Sequence, residues 1–210
     1  MSTLENLATN LISGKAEEVK NLTQQAIDEN IAPRDILNQG LLKGMEEVGR
    51  RFKANEFYVP EVLIAARAMK AGMTLLKPLL SATGVEPVGR VAIATVKGDL
   101  HDIGKNLVCM MLEGGGFEVV DLGVDVPPEK FVEVVQKENI QILGLSALLT
   151  TTMLNMKSTI SALEEQNVRN NVKIMIGGAP VTDAFADEIG ADGYAADAAT
   201  AVELAKSFIN

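Results

Sequence analysis

The sequence is poor in the residues that usually announce chemistry. Its 210 residues hold one histidine, one cysteine and no tryptophan, and aromatic residues make up only 4%. A lone Cys109 excludes an internal disulfide, and one His beside it cannot build a structural zinc site of the Cys/His kind. Any bound metal must therefore take most of its ligands from something other than His and Cys side chains. Positive charge is short as well: 19 Lys and Arg against 28 Asp and Glu leave a net charge of -9. Phosphate backbones and anionic lipid repel such a chain, so neither nucleic-acid binding nor a membrane-surface role is expected. No apolar run approaches the roughly 18 residues of a membrane span. Met1–Asn6 shows no basic region ahead of an apolar stretch, so it does not read as a secretion signal. A cytoplasmic location is expected, with the single thiol reduced.

What is present falls into two rhythms. Hydrophobic residues at 47% and charged residues at 22% are ordinary for a folded globular chain. Up to residue 80 the apolar positions recur at helical spacing. Leu4, Leu7, Leu11 and Ile12 mark a first helix, and Val19, Leu22 and Ala26 a second. A third opens at Pro33 and carries Ile36, Leu37, Leu41, Met45, Val48 and Phe52. A fourth runs from Val59 through Leu63, Ala66, Met69, Met73 and Leu76 to Leu80. Residues 81–90, with Gly84, Pro87 and Gly89, read as a linker. Beyond them short apolar runs at Val91–Thr95, Val119–Leu122, Ile142–Leu145, Ile174–Ile176 and Gly193–Ala195 alternate with helical stretches. Alternating strands and helices imply a parallel sheet covered on both faces. The expected fold is α/β: a four-helix bundle cap over residues 1–88, then a Rossmann-like (flavodoxin-like), doubly wound, five-stranded parallel sheet domain over 89–210. Ligands of such sheets bind beyond the carboxyl ends of the strands, which directs attention to the loops after Thr95, Leu145 and Ile176.

The loop after the first strand reads Lys97-Gly98-Asp99-Leu100-His101-Asp102-Ile103-Gly104-Lys105-Asn106 and contains Asp-x-His-x-x-Gly. A metal-bound imidazole usually gives its other ring N–H to a carboxylate, and Asp99, two residues away, suits that task. Gly104 allows a bulky ligand to approach the backbone. A lone His is more often a surface residue, and short motifs match by accident; its place between a buried strand and a helix favours a functional role. Ser146, Thr150, Thr151 and Thr152 follow the third strand. One hydroxyl would cap a helix, and four leave some spare. Gly177-Gly178-Ala179-Pro180 follows the fourth strand and reads equally as a ligand cradle or a plain tight turn. Tyr194 and Asp197 stand at the last strand end.

On these residues the chain resembles the corrinoid proteins of methyltransferase systems, of the methylamine, quaternary amine or methanol type, and the cobalamin-binding module of methionine synthase. Asp99-x-His101-x-x-Gly104, Ser146-x-Leu148 and Gly177-Gly178 match the three cofactor motifs in order and spacing. Phe57-Tyr58-Val59-Pro60-Glu61-Val62 resembles the part of the helical cap that faces the corrin. The resemblance spans essentially the whole chain.

The resemblance implies a cobalamin or related corrinoid bound with its own base displaced and His101 as the lower axial ligand to cobalt. Asp99 and Thr152 would complete a relay behind His101, with Leu100, Asp102, Ile103 and Gly104 beside the ring. The nucleotide tail would pass Ser146, Leu148, Thr150, Gly177 and Gly178 toward Tyr194 and Asp197, with Tyr58, Val59 and Val62 over the upper face. It also implies a methyl carrier: cobalt as Co(I) accepts a methyl group from a substrate-specific methyltransferase and delivers it from methyl-Co(III) to a second, folate- or thiol-dependent one. A reductive activase would be a further partner. On this reading the chain is a subunit of a methyltransferase system in one-carbon metabolism, not a complete enzyme. The cobalamin subunit of a carbon-skeleton mutase shares the His motif but generally lacks such a cap. A light- or cofactor-sensing regulator would need a DNA-binding segment. A phosphoacceptor receiver would want an acidic residue where Ser146 stands.

Overall fold

The computed structural model describes residues 2–209. The chain forms two compact units. One runs to Pro87 and takes in Gly114–Gly116; the other holds Val88–Glu113 and the chain from Phe117 onward.

The first unit is helical: α1 (Thr3–Ile12), α2 (Ala16–Asp28), α3 (Pro33–Asp35), a π-helical segment (Ile36–Leu42), α4 (Lys43–Lys53) and α5 (Val59–Ala82). Ser2 and Glu5 cap α1 reciprocally, satisfying amides that the first turn leaves without partners. Leu7, Leu11, Val19, Ile36, Leu41, Val48, Val62 and Leu76 are fully buried and make the core. The third sequence-read helix is therefore continuous but not uniform. Its middle widens to π over Ile36–Leu42, where Gly40 lies against Leu7; a Cβ on Gly40 would meet Leu7 Cδ2 at 2.5 Å. Apolar periodicity does not register this local unwinding.

The second unit is a parallel sheet in the order β2-β1-β3-β4-β5. Its strands are β1 (Arg90–Val96), β2 (Glu118–Val126), β3 (Ile142–Ser146), β4 (Lys173–Gly177) and β5 (Gly193–Tyr194). Between and after them come α6 (Ile103–Gly114), α7 (Pro128–Lys137), α8 (Thr150–Glu165), α9 (Asp183–Ile189) and α10 (Ala198–Ile209). Alternation along β1 decides which face each residue serves. Ala92, Ala94 and Val96 pack with Leu143, Leu145, Ile174 and Ile176 against α7, α8 and α9. Val91, Ile142 and Met175 pack on the other face with Leu112 of α6 and Ala205 of α10. Phe131 of α7 is 0% exposed, and burying a side chain of that size is worth about 1.5–3 kcal/mol.

The strand order turns back on itself at β1. The chain leaves β1 toward β2 on one side and later returns to β3 on the other, so the carboxyl ends of β1 and β3 flank a crevice. Two sequence expectations shift at the edges. Residues 81 and 82 complete α5, so the stretch without regular structure is 83–89. β2 extends four residues past the expected Leu122, because bulges in it keep the strand paired with β1 to Val126.

Candidate functional site

The loops after β1 and β3 meet at the crevice. Asp99 comes from the first, is 1% exposed, and its carboxylate accepts four hydrogen bonds. At Oδ1 the donors are the His101 backbone N–H (3.0 Å) and ring Nδ1 (2.8 Å). At Oδ2 they are the Leu148 backbone N–H (2.8 Å) and Thr152 Oγ1 (2.6 Å). Burial alone would push this carboxyl up. The bonds from Thr152, Leu148 and His101 outweigh it and hold Asp99 well below the usual carboxylate range. Asp99 is therefore ionised and can only accept, which places the imidazole proton on Nδ1. The other ring nitrogen, Nε2, keeps its lone pair. The His101 side chain is 53% exposed. The outcome is a single oriented, half-exposed imidazole that could serve as a ligand.

Thr152 sits in the first turn of α8, where the Ser/Thr cluster was read partly as helix capping. The N-cap residue is Leu149, and it makes no side-chain capping bond. The spare hydroxyl of that cluster instead faces Asp99.

Four large apolar side chains stand exposed on these two loops and at the first residue of α6: Leu100 at 71%, Ile103 at 79%, Leu148 at 41% and Leu149 at 44%. Apolar surface concentrated around a polar ligand is a mark of a binding site. Gly104, at the start of α6, has nothing within 4 Å of where its Cβ would be. Gly178 is the opposite case: with φ of 128°, any Cβ there would overlap the Ala147 carbonyl oxygen. Its missing side chain lets the loops after β3 and β4 pass each other.

The remaining expected residues are placed as follows. Ser146 ends β3, half-buried, in register with Thr95 and Gly177. Thr150 opens α8 and is exposed. Tyr194 ends β5 and packs on the sheet core. Asp197 accepts from the Thr200 N–H at 2.8 Å, a helix-capping bond at the start of α10. Asp102 accepts from Asn106 Nδ2 at 3.1 Å and makes no bond to His101 or Asp99. In the helical unit, Tyr58 (64%) and Val59 (37%) are exposed, as are Leu63 and Ile64, whereas Val62 is a core residue at 0%.

Three contributors went unread in the sequence. Thr95, fully buried at the end of β1, donates from Oγ1 to the His101 carbonyl oxygen at 2.8 Å. Asn155 Nδ2 donates to the Lys97 carbonyl oxygen at 2.8 Å. Asp125 accepts from the Gly98 N–H at 2.7 Å. A hydroxyl ending an otherwise apolar strand was a signal for Thr95; nothing local marked the other two. Cys109 takes no part, since burial pushes its thiol up to about 12.

Comparison with known proteins gives a consistent set of matches. Residues 89–203 match a family model described as a B12 binding domain, and residues 3–77 match a second model with the same description. A corrinoid protein of Desulfitobacterium hafniense is 42% identical over 212 residues, covering 100% of this chain and 98% of the relative. The dimethylamine corrinoid protein of Methanosarcina barkeri is 45% identical over 208 residues, covering 98% and 97%. Among solved structures, a chain of the methanol:cobalamin methyltransferase complex from Methanosarcina barkeri aligns with a TM-score of 0.89. That alignment has 32% identity and covers 99% of this chain and 79% of the other.

Proposed function

The chain belongs to the B12-binding corrinoid proteins of methyltransferase systems, and from that premise we propose that it carries methyl groups with His101 as the protein ligand beneath cobalt. The cofactor is a cobalamin-type corrinoid. When bound, that group supplies the chemistry, a cobalt that takes up a methyl group as Co(I) and yields it from methyl-Co(III).

The residues present suit such a group. Among the described residues no cluster of three or more His, Cys, Asp and Glu could hold a metal ion. A metal met by His101 alone needs its other ligands from a macrocycle. Leu100, Ile103, Leu148 and Leu149 offer a broad macrocycle an apolar seat, and the open space at Gly104 admits it. Ser146, Thr150, Gly177 and Gly178 would line the path of the nucleotide tail, with Tyr194 and Asp197 at its far end. Tyr58 and Val59, exposed together with Leu63 and Ile64, are apolar residues of the helical unit that would be available to shield a bound corrinoid.

The single observation that carries the reading is the Asp99–His101 pair. Asp99 fixes the tautomer that leaves Nε2 as ligand and makes it a better donor. The carboxylate would hold the ring in that orientation whether or not Nε2 is on a metal. Thr152 Oγ1 and the Leu148 N–H hold that carboxylate in place.

The partners that fit are one methyltransferase loading the carrier, a second, folate- or thiol-dependent, unloading it, and a reductive activase. A small methylated amine is the donor class supported by the dimethylamine and trimethylamine corrinoid proteins among the relatives. The cytoplasm is the compartment that suits these partners.

Reconstitution with cobalamin tests the reading. Wild-type protein should turn red, with the cofactor's own base off cobalt and an imidazole on it. His101→Ala should bind the cofactor without the imidazole signature. Protein that refuses cobalamin, or keeps the cofactor's own base on cobalt, would falsify the assignment.

A further inference from the structure

β2 is longer than its pairing with β1 requires. From the Ile93–Asp121 pair to the Val96–Val126 pair, β1 advances three residues while β2 advances five, through two register shifts. Bulges of this kind re-aim strand residues beside functional sites. Here the surplus brings Asp125 against the turn that joins β1 to His101.

Asp125 is held there at a conformational cost. Its φ is 53°, in the left-handed region that residues with a Cβ seldom adopt. Gly123 and Gly98 nearby, at φ of 92° and 81°, show the residue that backbone geometry alone would select. What an aspartate adds is its bonding. Its Oδ1 accepts from the Gly98 N–H at 2.7 Å, and its backbone N–H donates to the Asp99 carbonyl oxygen at 3.0 Å. Both bonds fall on the two residues that launch the Asp99 carboxylate into the crevice. Neither reaches the carboxylate or the imidazole. The strand that carries Asp125 is anchored in turn, since Asp121 of β2 takes the buried Lys105 ammonium on both oxygens at 2.6 Å.

We propose that Asp125 is a positioning residue: it clasps the Gly98–Asp99 turn so that the Asp99 carboxylate and the His101 ring meet in the geometry that presents Nε2. The inference rests on the reading of His101 as the cobalt ligand. It does not depend on which methyl donor or acceptor is used. Without the side-chain acceptor, the Gly98 amide loses its partner and the turn is fixed from β2 by one bond instead of two. The ring's exposure then gives it room to swing.

The test uses the full chain loaded with cobalamin and reduced to Co(II). Paramagnetic resonance reads the fraction of cobalt bearing an axial imidazole nitrogen. Asp125→Gly keeps the backbone conformation accessible and removes the acceptor, so the fold is retained. Its ratio of imidazole-bound to imidazole-free protein should fall about fivefold, the loss expected for one hydrogen bond. Asp125→Asn keeps a carbonyl acceptor and tolerates left-handed backbone, so it should return most of the wild-type ratio. Hydrogen exchange at the Gly98 amide of the apoprotein needs no cofactor. It should quicken by roughly tenfold in Asp125→Gly and little in Asp125→Asn. An unchanged ratio in the glycine variant, or an asparagine variant no better than the glycine one, overturns the proposal. Wild-type protein with no imidazole signal overturns the His101 reading itself, and the clasp falls with it.

Discussion

The helical unit and the sheet unit both expose apolar side chains, but among the described residues only the sheet unit buries charged side chains. Around α4 and α5 the charged groups stay at the surface. Arg50 and Arg51 share Glu47 at 2.7 Å each, Arg50 also meets Glu56, and Arg51 lies over the Phe57 ring. At the sheet's carboxyl edge Asp99 is withdrawn from water and surrounded by four donors. Exposed ion pairs are screened and replaceable. A buried carboxylate with every donor aimed at it is a geometric commitment. The comparison sets exposed, replaceable ion pairs in one unit against a fixed, buried carboxylate in the other.

The largest expected effect tests that commitment. Asp99→Ala leaves the Leu148 and His101 backbone N–H groups without their acceptor, while the Thr152 hydroxyl keeps only the Leu149 carbonyl oxygen, and should cost about 3 kcal/mol in denaturant unfolding of the apoprotein. The same residue sets an acid sensitivity. Its folded value lies below the unfolded one near 3.9. Its contribution to stability is therefore complete above about pH 5 and is lost as pH falls through the folded value. A melting profile against pH should flatten in the Asp99→Asn variant over that acid range.

Gly178→Ala comes next. A Cβ there overlaps the Ala147 carbonyl oxygen, and the variant should lose more than about 1 kcal/mol. Gly104→Ala is the informative counterpart, because its Cβ meets nothing. It should leave the apoprotein as stable or stabilise it by up to about 1 kcal/mol, as alanine does in a helix. Its affinity for cobalamin, measured by titration, should nevertheless fall. Equal losses of stability at the two glycines would erase the distinction between a glycine that close packing requires and one whose Cβ position is open.

The smallest effect belongs to the helical unit. Glu47→Gln removes the shared carboxylate of Arg50 and Arg51, yet its melting temperature should stay near wild type. Whatever difference appears should vanish in high salt. A large loss there would mean that the helical unit also depends on its charges, and the contrast between the units would fail.

Much of the site was legible because it is local. Asp99, His101 and Gly104 fall within six residues, and each has a chemical reason for its type. Thr152, 53 residues from Asp99, was legible as one of a cluster of hydroxyls after the third strand, and only the family resemblance singled it out from that cluster. The Leu148 amide, Asn155 and Asp125 were not legible, and the signal at Thr95 went unused. A backbone N–H carries no sequence signature, Asp125 reaches the site through strand register, and Asn155 reaches it from α8. The π-helical turn at Ile36–Leu42 escaped for a related reason: it answers to the approach of α1, not to its own periodicity.

The amino-acid order alone determined the two rhythms, the parallel α/β architecture, and the presence of one imidazole with one carboxylate beside it. These follow from hydrophobic period and residue chemistry, which act over a few residues. Only the tertiary structure decided that four donors would converge on Asp99, that Val62 would turn into a core while Tyr58 and Val59 stayed outside, and that a bulged strand would bring Asp125 under the loop. Such pairings depend on which strands lie side by side and in what register, and those are properties of the assembled sheet.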